Sequence, residues 1–366
     1  IQCRHAQMKK LVIILIIKKF KNIEFIIFKM LITNKFFYLY ILIVTIFILT
    51  GLFYKKISQI MKLYDFPNSN RKIHVKPVSL INGFVILITL NLYFFFDIFF
   101  FKKFNSEFVI LIIILCNFFY FLGYYDDLND ISAKNKTFII LISLLIIIPF
   151  DQNLVLKSLI FKQLTSKEIF LNQLSIFITI FFIYIFYNFM NFIDGLNGVA
   201  LSVAIFFIII LALERGRFFN LEILLVLCLL YCLTLNLKNK SFLGNSGISV
   251  LSIFISIFYI RDYNLYKSLL CDEIFIIFFI PGIDMTRLVF SRIFSGKSIS
   301  HADKNHLHHF LSNFINKKHV FIYYLGVTTV PYLIYIISSN FLISVITSLS
   351  LYYLLIIFLK RVPKKS

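Results

Sequence analysis

Long apolar runs separated by short polar clusters make up most of the chain. Runs of Phe, Ile and Leu near the length that crosses a bilayer recur from about residue 36 to about residue 359, and a transmembrane helix needs about 20 apolar residues. These runs are continuously apolar, whereas the strands of a membrane barrel alternate between apolar and polar residues. We therefore predict an all-α, polytopic membrane helix bundle with about 10–11 transmembrane helices.

Apolar length predicts where the individual spans fall. They are expected at residues 36–53, 78–101, 108–124, 137–150, 174–190, 199–213, 221–236, 248–260, 274–290, 319–337 and 341–359. The expected organisation is an N-terminal extension at 1–35 to which we assign no chemistry, a multi-span domain at 36–359 and a basic cytoplasmic tail at 360–366. We expect translation to start at Met8 or Met30.

Composition and charge agree with a membrane protein and predict its orientation. The sequence is 60% hydrophobic and 15% charged, with a mean hydropathy of +0.89. Its net charge of +20 comes from Lys and Arg clustered at span ends, which is the positive-inside pattern and argues against a nucleic-acid partner. When the connections are numbered alternately, one side has about twice as many Lys and Arg residues as the other, so we predict that this side is cytoplasmic.

Every cytoplasmic connection except the tail carries a compact polar cluster, whereas the outer connections carry scattered charges. The clusters are DFPNSNRKIHVKP, YDDLNDISAKNK, NFIDGLNG, FLGNSG and HADKNHLHH. Polar residues brought from five loops to one mouth of a helix bundle predict an active site there.

The cluster YDDLND places Asp126 and Asp127 side by side at the end of the third span. Adjacent carboxylates are costly to desolvate, and a divalent cation or a transferred proton is the usual reason for them. A solvated loop cap is the alternative, and we assign Asp130 to it. Lys134 and Lys136 follow closely.

The cluster NFMNFIDGLNG spaces Asn188, Asn191 and Asp194 three residues apart, so on a helix they form one polar stripe. Amide and carboxylate oxygens in such a stripe suit a hard cation or the edge of a nucleobase. Asparagines that only end a helix are the alternative. In FLGNSG, Gly244 and Gly247 could let backbone amides approach a phosphate, although short glycine turns are common.

The cluster HADKNHLHH contains His306, His308 and His309. A zinc site, a phosphate site and a solvated loop are all open from the residues alone. The nearby Arg292 and Lys297 favour an oxyanion. Just before them, Asp284 and Arg287 lie one helical turn apart within a span and can face the bundle interior as a pair.

Taken in order, RKIHVKP, GYYDDLNDISAKNK, NFMNFIDGLNG, FLGNSG and DKNHLHH resemble the motifs of the polyprenyl-phosphate N-acetylhexosamine-1-phosphate transferase family, the MraY/WecA-like glycosyltransferase family 4. The resemblance covers about residues 37–359. It implies transfer of a sugar-1-phosphate from a UDP-sugar to undecaprenyl phosphate, which gives an undecaprenyl-diphosphate sugar and UMP. It also implies Mg²⁺, with Mn²⁺ as an alternative, and a multi-pass protein of the bacterial inner membrane whose active site faces the cytoplasm. The expected partners are the two substrates and membrane lipids, with a homodimer left open.

Matching the motifs position by position implies the following roles. The positions linked to the lipid phosphate and catalysis are Asp126 and Asp127. Those linked to the metal are Asn188, Asn191, Asp194 and Asn245. Those linked to the nucleotide or diphosphate are Lys134, Lys136, Arg292, His306, His308 and His309. Those linked to the lipid phosphate or to the basic first loop are Arg71, Lys72 and His74.

Two departures from the family pattern bear on activity. Asn245 stands where the family usually has an aspartate that binds the metal, with Ile248 at the usual serine position. Asn82 stands where a glycine is usual, before Gly83. An inactive relative that acts as a scaffold is therefore one alternative to an active enzyme.

RKIHVKP and HLHH resemble the branch that uses UDP-N-acetylhexosamines to start O-antigen or related surface glycans. The branch that transfers phospho-MurNAc-pentapeptide in peptidoglycan synthesis is the alternative within the family. A secondary transporter is the alternative of another class, and it would place charges at the membrane midplane and repeat its two halves.

Overall fold

The computed structural model describes residues 34–66, 77–165, 167–215, 220–298 and 305–361. In chain order its helices are α1 (Asn34–Ile60), α2 (Ile81–Phe96), α3 (Ser106–Asn129), α4 (Ala133–Ile147), α5 (Ser175–Ile193), α6 (Val199–Glu214), α7 (Asn220–Leu237), α8 (Gly244–Tyr266), α9 (Cys271–Ile277), α10 (Phe279–Phe294), α11 (Leu307–Ser312), α12 (Val320–Ser338) and α13 (Phe341–Arg361). Two antiparallel pairs of short strands accompany them: β1 (Tyr64–Asp65) with β2 (Val78–Ser79), and β3 (Ser158–Leu159) with β4 (Ile169–Phe170).

The helices confirm the all-α, multi-pass architecture predicted from hydropathy. Among the described residues, nine helices are long and apolar enough to cross a membrane. Helices α9 and α10 add a tenth span if they are counted together, with a bend of 72° between them. Helix α6 is apolar but shorter, at 16 residues. Each of the expected spans overlaps one of these helices.

Helix α8 forms the centre of the bundle. In its most apolar stretch 89% of the residues are buried, and it packs against α2, α3 and α5. Glycines allow the closest approach: a Cβ atom on Gly83 of α2 would lie 2.6 Å from the backbone nitrogen of Gly247. The α2 and α8 backbones therefore touch directly, and this contact fixes the position of the start of α8 along α2.

Several helices extend beyond the ends predicted by apolar length, and α3 and α8 are two of them. Helix α3 continues to Asn129 rather than ending near residue 124, and α8 begins at Gly244 rather than near residue 248. A prediction from hydropathy ends each span at the first polar residue. Here the polar residues at the end of α3 and the start of α8 form hydrogen bonds with each other, and both helices include them. The two clusters are thus parts of helices, not of loops.

The charges of the outer connections are not scattered in space. Arg215 pairs with Asp262 at 2.5 Å and with Glu222 at 2.8 Å, and all three side chains are buried. Nearby, Lys162 pairs with Glu273 at 2.9 Å. These ion pairs join the outer ends of α6, α7 and α8 and the connection after α4, and they lie opposite the end that holds the polar clusters.

Candidate functional site

Four of the five polar clusters meet at one end of the bundle. Because the helices alternate in direction, this end receives the last turns of α3 and α5 and the first turns of α4 and α8. Contacts between the clusters confirm the meeting: α3 bonds to α8, α4 bonds to both, and the turn after α5 packs on α11. The first-loop residues Arg71, Lys72 and His74 lie outside the described residues.

Asp127 lies at the N-terminus of α8. Its Oδ1 accepts a hydrogen bond from the backbone nitrogen of Asn245 at 2.8 Å, and its Oδ2 accepts one from Ser246 at 3.0 Å. The first amides of a helix lack intrahelical partners and carry a partial positive charge, so a carboxylate is stabilised there. Gly244 has a φ of +71° beside this carboxylate, a conformation that glycine adopts without strain. The FLGNSG amides do bind an anion, but that anion is the side chain of Asp127.

Asp126 faces a different partner. Its Oδ2 lies 2.7 Å from Nζ of Lys136, and its Oδ1 accepts a hydrogen bond from the Ile131 backbone at 2.8 Å. The same Lys136 donates to Oδ1 of Asn245 at 3.2 Å. The ammonium group therefore bridges a carboxylate of α3 and a carboxamide of α8.

The polar stripe of α5, formed by Asn188, Asn191 and Asp194, offers side-chain oxygens that do not bond to Lys136. Asn188 donates its amide to the carbonyl of Tyr184 at 2.7 Å, which leaves its Oδ1 outside that bond. Asn191 is partly exposed and Asp194 is exposed at the end of the helix. Asn188 and Asn191 lie in the last turns of α5, and Asp194 directly follows the helix.

The carboxyl group of Asp194 has a pKa above the usual value for an aspartate. Although the residue is exposed at the surface, neighbouring protein displaces water from its carboxylate, and the negative charge of Asp127 adds repulsion. Together these effects raise the pKa of Asp194 to about 7. A cation placed near the two carboxylates would relieve this repulsion.

The histidine cluster forms the start of α11 and packs under the turn after α5. His306 and His308 are buried, and His309 is half-buried. A Cβ atom on Gly195 would collide with the His308 ring, so only glycine leaves room for this contact. Burial and the neighbouring His309 and His306 hold the pKa of His308 well below its usual range, so its ring is neutral near pH 7.

Of the basic residues assigned to the nucleotide or diphosphate, Lys136 bonds to both Asp126 and Asn245. Lys134 is exposed in the first turn of α4. Arg292 is buried, and its guanidinium lies 5.2 Å from the centre of the Phe192 ring. That ring in turn contacts His306 edge-on, with 5.4 Å between the ring centres. The guanidinium, the phenyl ring and the imidazole therefore lie in a row of successive contacts.

Some of these residues fit Mg²⁺ and one fits it poorly. Mg²⁺ favours hard oxygen donors, commonly one or two carboxylates with water, and Asp194 with the amide oxygens of Asn188 and Asn191 supplies that chemistry. Asn245 is a poorer donor because its Oδ1 already faces the Lys136 ammonium. Within the described ranges no group of three or more His, Cys, Asp or Glu side chains is arranged to hold a metal, which gives the zinc alternative no support there.

Sequence patterns missed several residues that shape the site. Tyr187 lies beneath Lys136, whose Nζ is 5.6 Å from the ring centre, and its hydroxyl bonds to Ser249 at 3.0 Å. Phe192 of α5 contacts His306, and Tyr352 of α13 bonds to Asp284. The chain has 20 Tyr and 47 Phe, so no compositional signal separates these aromatic residues from those that face lipid.

Comparison with known proteins agrees with the motifs. The glycosyl transferase family 4 profile matches residues 108–262, a stretch that contains the paired aspartates, the α5 stripe and α8 but not the histidine cluster. A Bacillus subtilis (strain 168) protein named "Probable undecaprenyl-phosphate N-acetylglucosaminyl 1-phosphate transferase" is 30% identical over 202 residues, which are 53% of this chain and 55% of that protein. The chain thus matches about half the length of this curated relative. The resemblance inferred from the motifs is confirmed, and residues 108–262 of this membrane protein match glycosyl transferase family 4.

Proposed function

We propose that the protein transfers an N-acetylhexosamine-1-phosphate from a UDP-sugar to undecaprenyl phosphate. A phosphate oxygen of the lipid attacks the phosphorus that carries the sugar, the bond from that phosphorus to the bridging oxygen of the UDP-sugar breaks, and UMP leaves with the bridging oxygen. The product is an undecaprenyl-diphosphate sugar that starts a surface glycan. The site would face the cytoplasm at the bacterial inner membrane, where the soluble nucleotide and the lipid phosphate can both reach it.

The observation that carries this proposal is the meeting of Asp126, Lys136 and the α5 stripe at one end of a membrane bundle. A diphosphate brings negative charge to the site, and transfer requires that charge to be neutralised. The ammonium of Lys136 is held at that point by Asp126 and Asn245. A transporter would instead concentrate its polar residues near the membrane midplane, whereas these residues lie at helix ends.

We assign each site residue a role in the transfer from the contacts that it makes. Lys136 and Arg292 provide positive charge for the phosphates, and Asp126 orients Lys136. Asp127 holds the start of α8 in place, and with Asp126 it supplies the paired carboxylates that we assign to the reaction. Asp194 with Asn188 and Asn191 would hold Mg²⁺, which when bound supplies a Lewis acid that offsets diphosphate charge. The neutral His308 supports the turn at Gly195, next to these oxygens.

The proposal is tested by assaying the purified, full-length protein with undecaprenyl phosphate, Mg²⁺ and UDP-N-acetylglucosamine. We expect release of UMP and formation of a lipid-linked sugar, each dependent on the lipid. UDP-MurNAc-pentapeptide serves as the competing donor. Turnover of that donor alone would assign the chain to peptidoglycan synthesis, and no turnover of either donor would contradict the proposed reaction.

A further inference from the structure

The buried carboxylate of Asp284 in α10 connects three separate parts of the chain. Its Oδ1 accepts hydrogen bonds from the Tyr352 hydroxyl at 2.6 Å and from Nη2 of Arg287 at 2.7 Å. Its Oδ2 accepts one from the backbone nitrogen of Leu307 at 3.2 Å. Asp284 thus joins α10 to the last span, α13, and to the first residue of α11.

Arg287 reinforces the same connection. Its Nη2 donates to the backbone carbonyl of Asn305 at 2.6 Å, and its Nε donates to the Tyr352 hydroxyl at 2.8 Å. A guanidinium group offers several donors in a fixed plane, so it can hold these acceptors at the same time. A lysine has one ammonium group and could not reproduce this arrangement.

The segment held in this way is the beginning of the histidine helix. Helix α11 has six residues and no side-chain cap at its N-terminus, and isolated helices of this length are unstable in water. Its position therefore depends on tertiary contacts. Nδ1 of His306 lies 3.9 Å from Oδ2 of Asp284, and His308 two residues later packs against Gly195.

We propose that Asp284, Arg287 and Tyr352 are positioning residues that set the place of segment 305–309 against the turn after α5, and so set the affinity of the site for the UDP-sugar. None of the three is assigned contact with substrate. The link to the UDP-sugar rests on the proposed function, whereas the placement of the segment does not.

Hydrogen exchange of the purified, full-length protein tests the placement. Tyr352→Phe removes a hydroxyl that donates to Asp284 and accepts from Arg287, while keeping the ring. Since a buried hydrogen bond to a charged group is worth enough to change an opening equilibrium about tenfold, we expect amides of residues 307–310 to exchange about tenfold faster. Tyr353→Phe is the matched control, because Tyr353 is 42% exposed and its hydroxyl has no hydrogen-bond partner among the described residues. Equal exchange in Tyr352→Phe and the parent would overturn the proposal.

Steady-state kinetics tests the consequence for substrate. In Tyr352→Phe, and in Arg287→Lys as a second variant, we expect KM for the UDP-sugar to rise about tenfold while kcat stays within about twofold, since the reacting groups are untouched. Faster exchange with an unchanged KM would refute the link to substrate affinity. If the parent itself turns over no UDP-sugar, the proposed function fails, and the exchange experiment still decides whether the three residues position the segment.

Discussion

At the scale of single residues, the two adjacent aspartates have different surroundings. Asp127 is bonded to backbone amides at the start of α8, while Asp126 is bonded to the side chain of Lys136. The residue type and spacing identify both as functional candidates but do not distinguish them. Asp126 is buried, and each oxygen of the two carboxylates accepts a hydrogen bond.

Asp126→Asn and Asp127→Asn should each lower the rate of UMP release at least about a hundredfold, because loss of a catalytic or charge-stabilising group typically costs that much. Asp127→Asn should also lower the midpoint of thermal unfolding by a few degrees, since one of its two backbone bonds is lost. Asp130→Asn is the matched control at the same helix end, because Asp130 is exposed. Turnover by Asp127→Asn at the parent's rate would contradict a role in the reaction.

Asn245 departs from the family's aspartate, and its surroundings suggest how the site tolerates it. Its Oδ1 accepts a hydrogen bond from Lys136, so the position is already beside a positive charge. We propose that Mg²⁺ is held mainly by Asp194 and the α5 amides, and more weakly than with an aspartate at position 245. An added carboxylate would bring a negative charge and a second hard oxygen.

Asn245→Asp should therefore lower the Mg²⁺ concentration needed for half-maximal UMP release. Asn245→Leu, which has no side-chain oxygen, should nearly abolish activity and release Lys136 from α8. Asn316→Asp adds the same charge at an exposed position and should leave the Mg²⁺ dependence unchanged. A Leu variant with the parent's rate and Mg²⁺ dependence would show that position 245 supports neither the metal nor Lys136.

At the scale of elements, apolar length predicts the spans well because membrane thickness sets it directly. Apolar length misplaces the end of a span where polar side chains at that end form hydrogen bonds with another helix. Asp127 keeps α3 helical past residue 124 by bonding to amides more than a hundred positions away in sequence, and no local pattern reports that pairing. The stripe on α5 was predictable because its spacing of three is local, whereas the contact between Gly195 and His308 depends on how α5 and α11 pack.

The outer ion pairs give a second element-scale prediction. Arg215 links α6 to α7 and α8 through Glu222 and Asp262, with side chains at most 5% exposed. Arg215→Gln would leave these buried carboxylates without their partner, a change that typically costs about 3 kcal/mol or more. We expect a clearly lower midpoint of thermal unfolding in detergent, with UMP release per folded molecule little changed at low temperature.

Lys157→Gln removes an exposed charge from the same outer end and should leave the unfolding midpoint as in the parent. If Arg215→Gln unfolds at the parent's temperature, the outer ion pairs do not hold these three helices together. If it lowers the rate of UMP release without affecting stability, the outer end influences the site by a route that these contacts do not provide.

At the scale of the whole molecule, the polar clusters and the outer ion pairs occupy opposite ends of one bundle. Lys and Arg are concentrated in the connections at the end that holds the polar clusters, so the positive-inside rule predicts that this end faces the cytoplasm. The helix order agrees with alternate connections on opposite sides, since α3 and α4 meet at one end and the connection between α4 and α5 lies at the other. A nucleotide-sugar made in the cytoplasm would then reach the site without crossing the membrane.

Membrane orientation is testable by cysteine labelling in intact cells and in inverted membrane vesicles. Asn129→Cys and Ser298→Cys should react with a membrane-impermeant maleimide only from the cytoplasmic side, and Lys157→Cys only from outside; all three positions are exposed. The parent is the control for background, because Cys116, Cys228 and Cys232 are buried and Cys271 is partly so. Labelling of positions 298 and 157 from the same side would break the alternation on which the bundle topology rests. Labelling of all three from reversed sides would keep the topology but place the site outside, where a cytoplasmic UDP-sugar could not reach it.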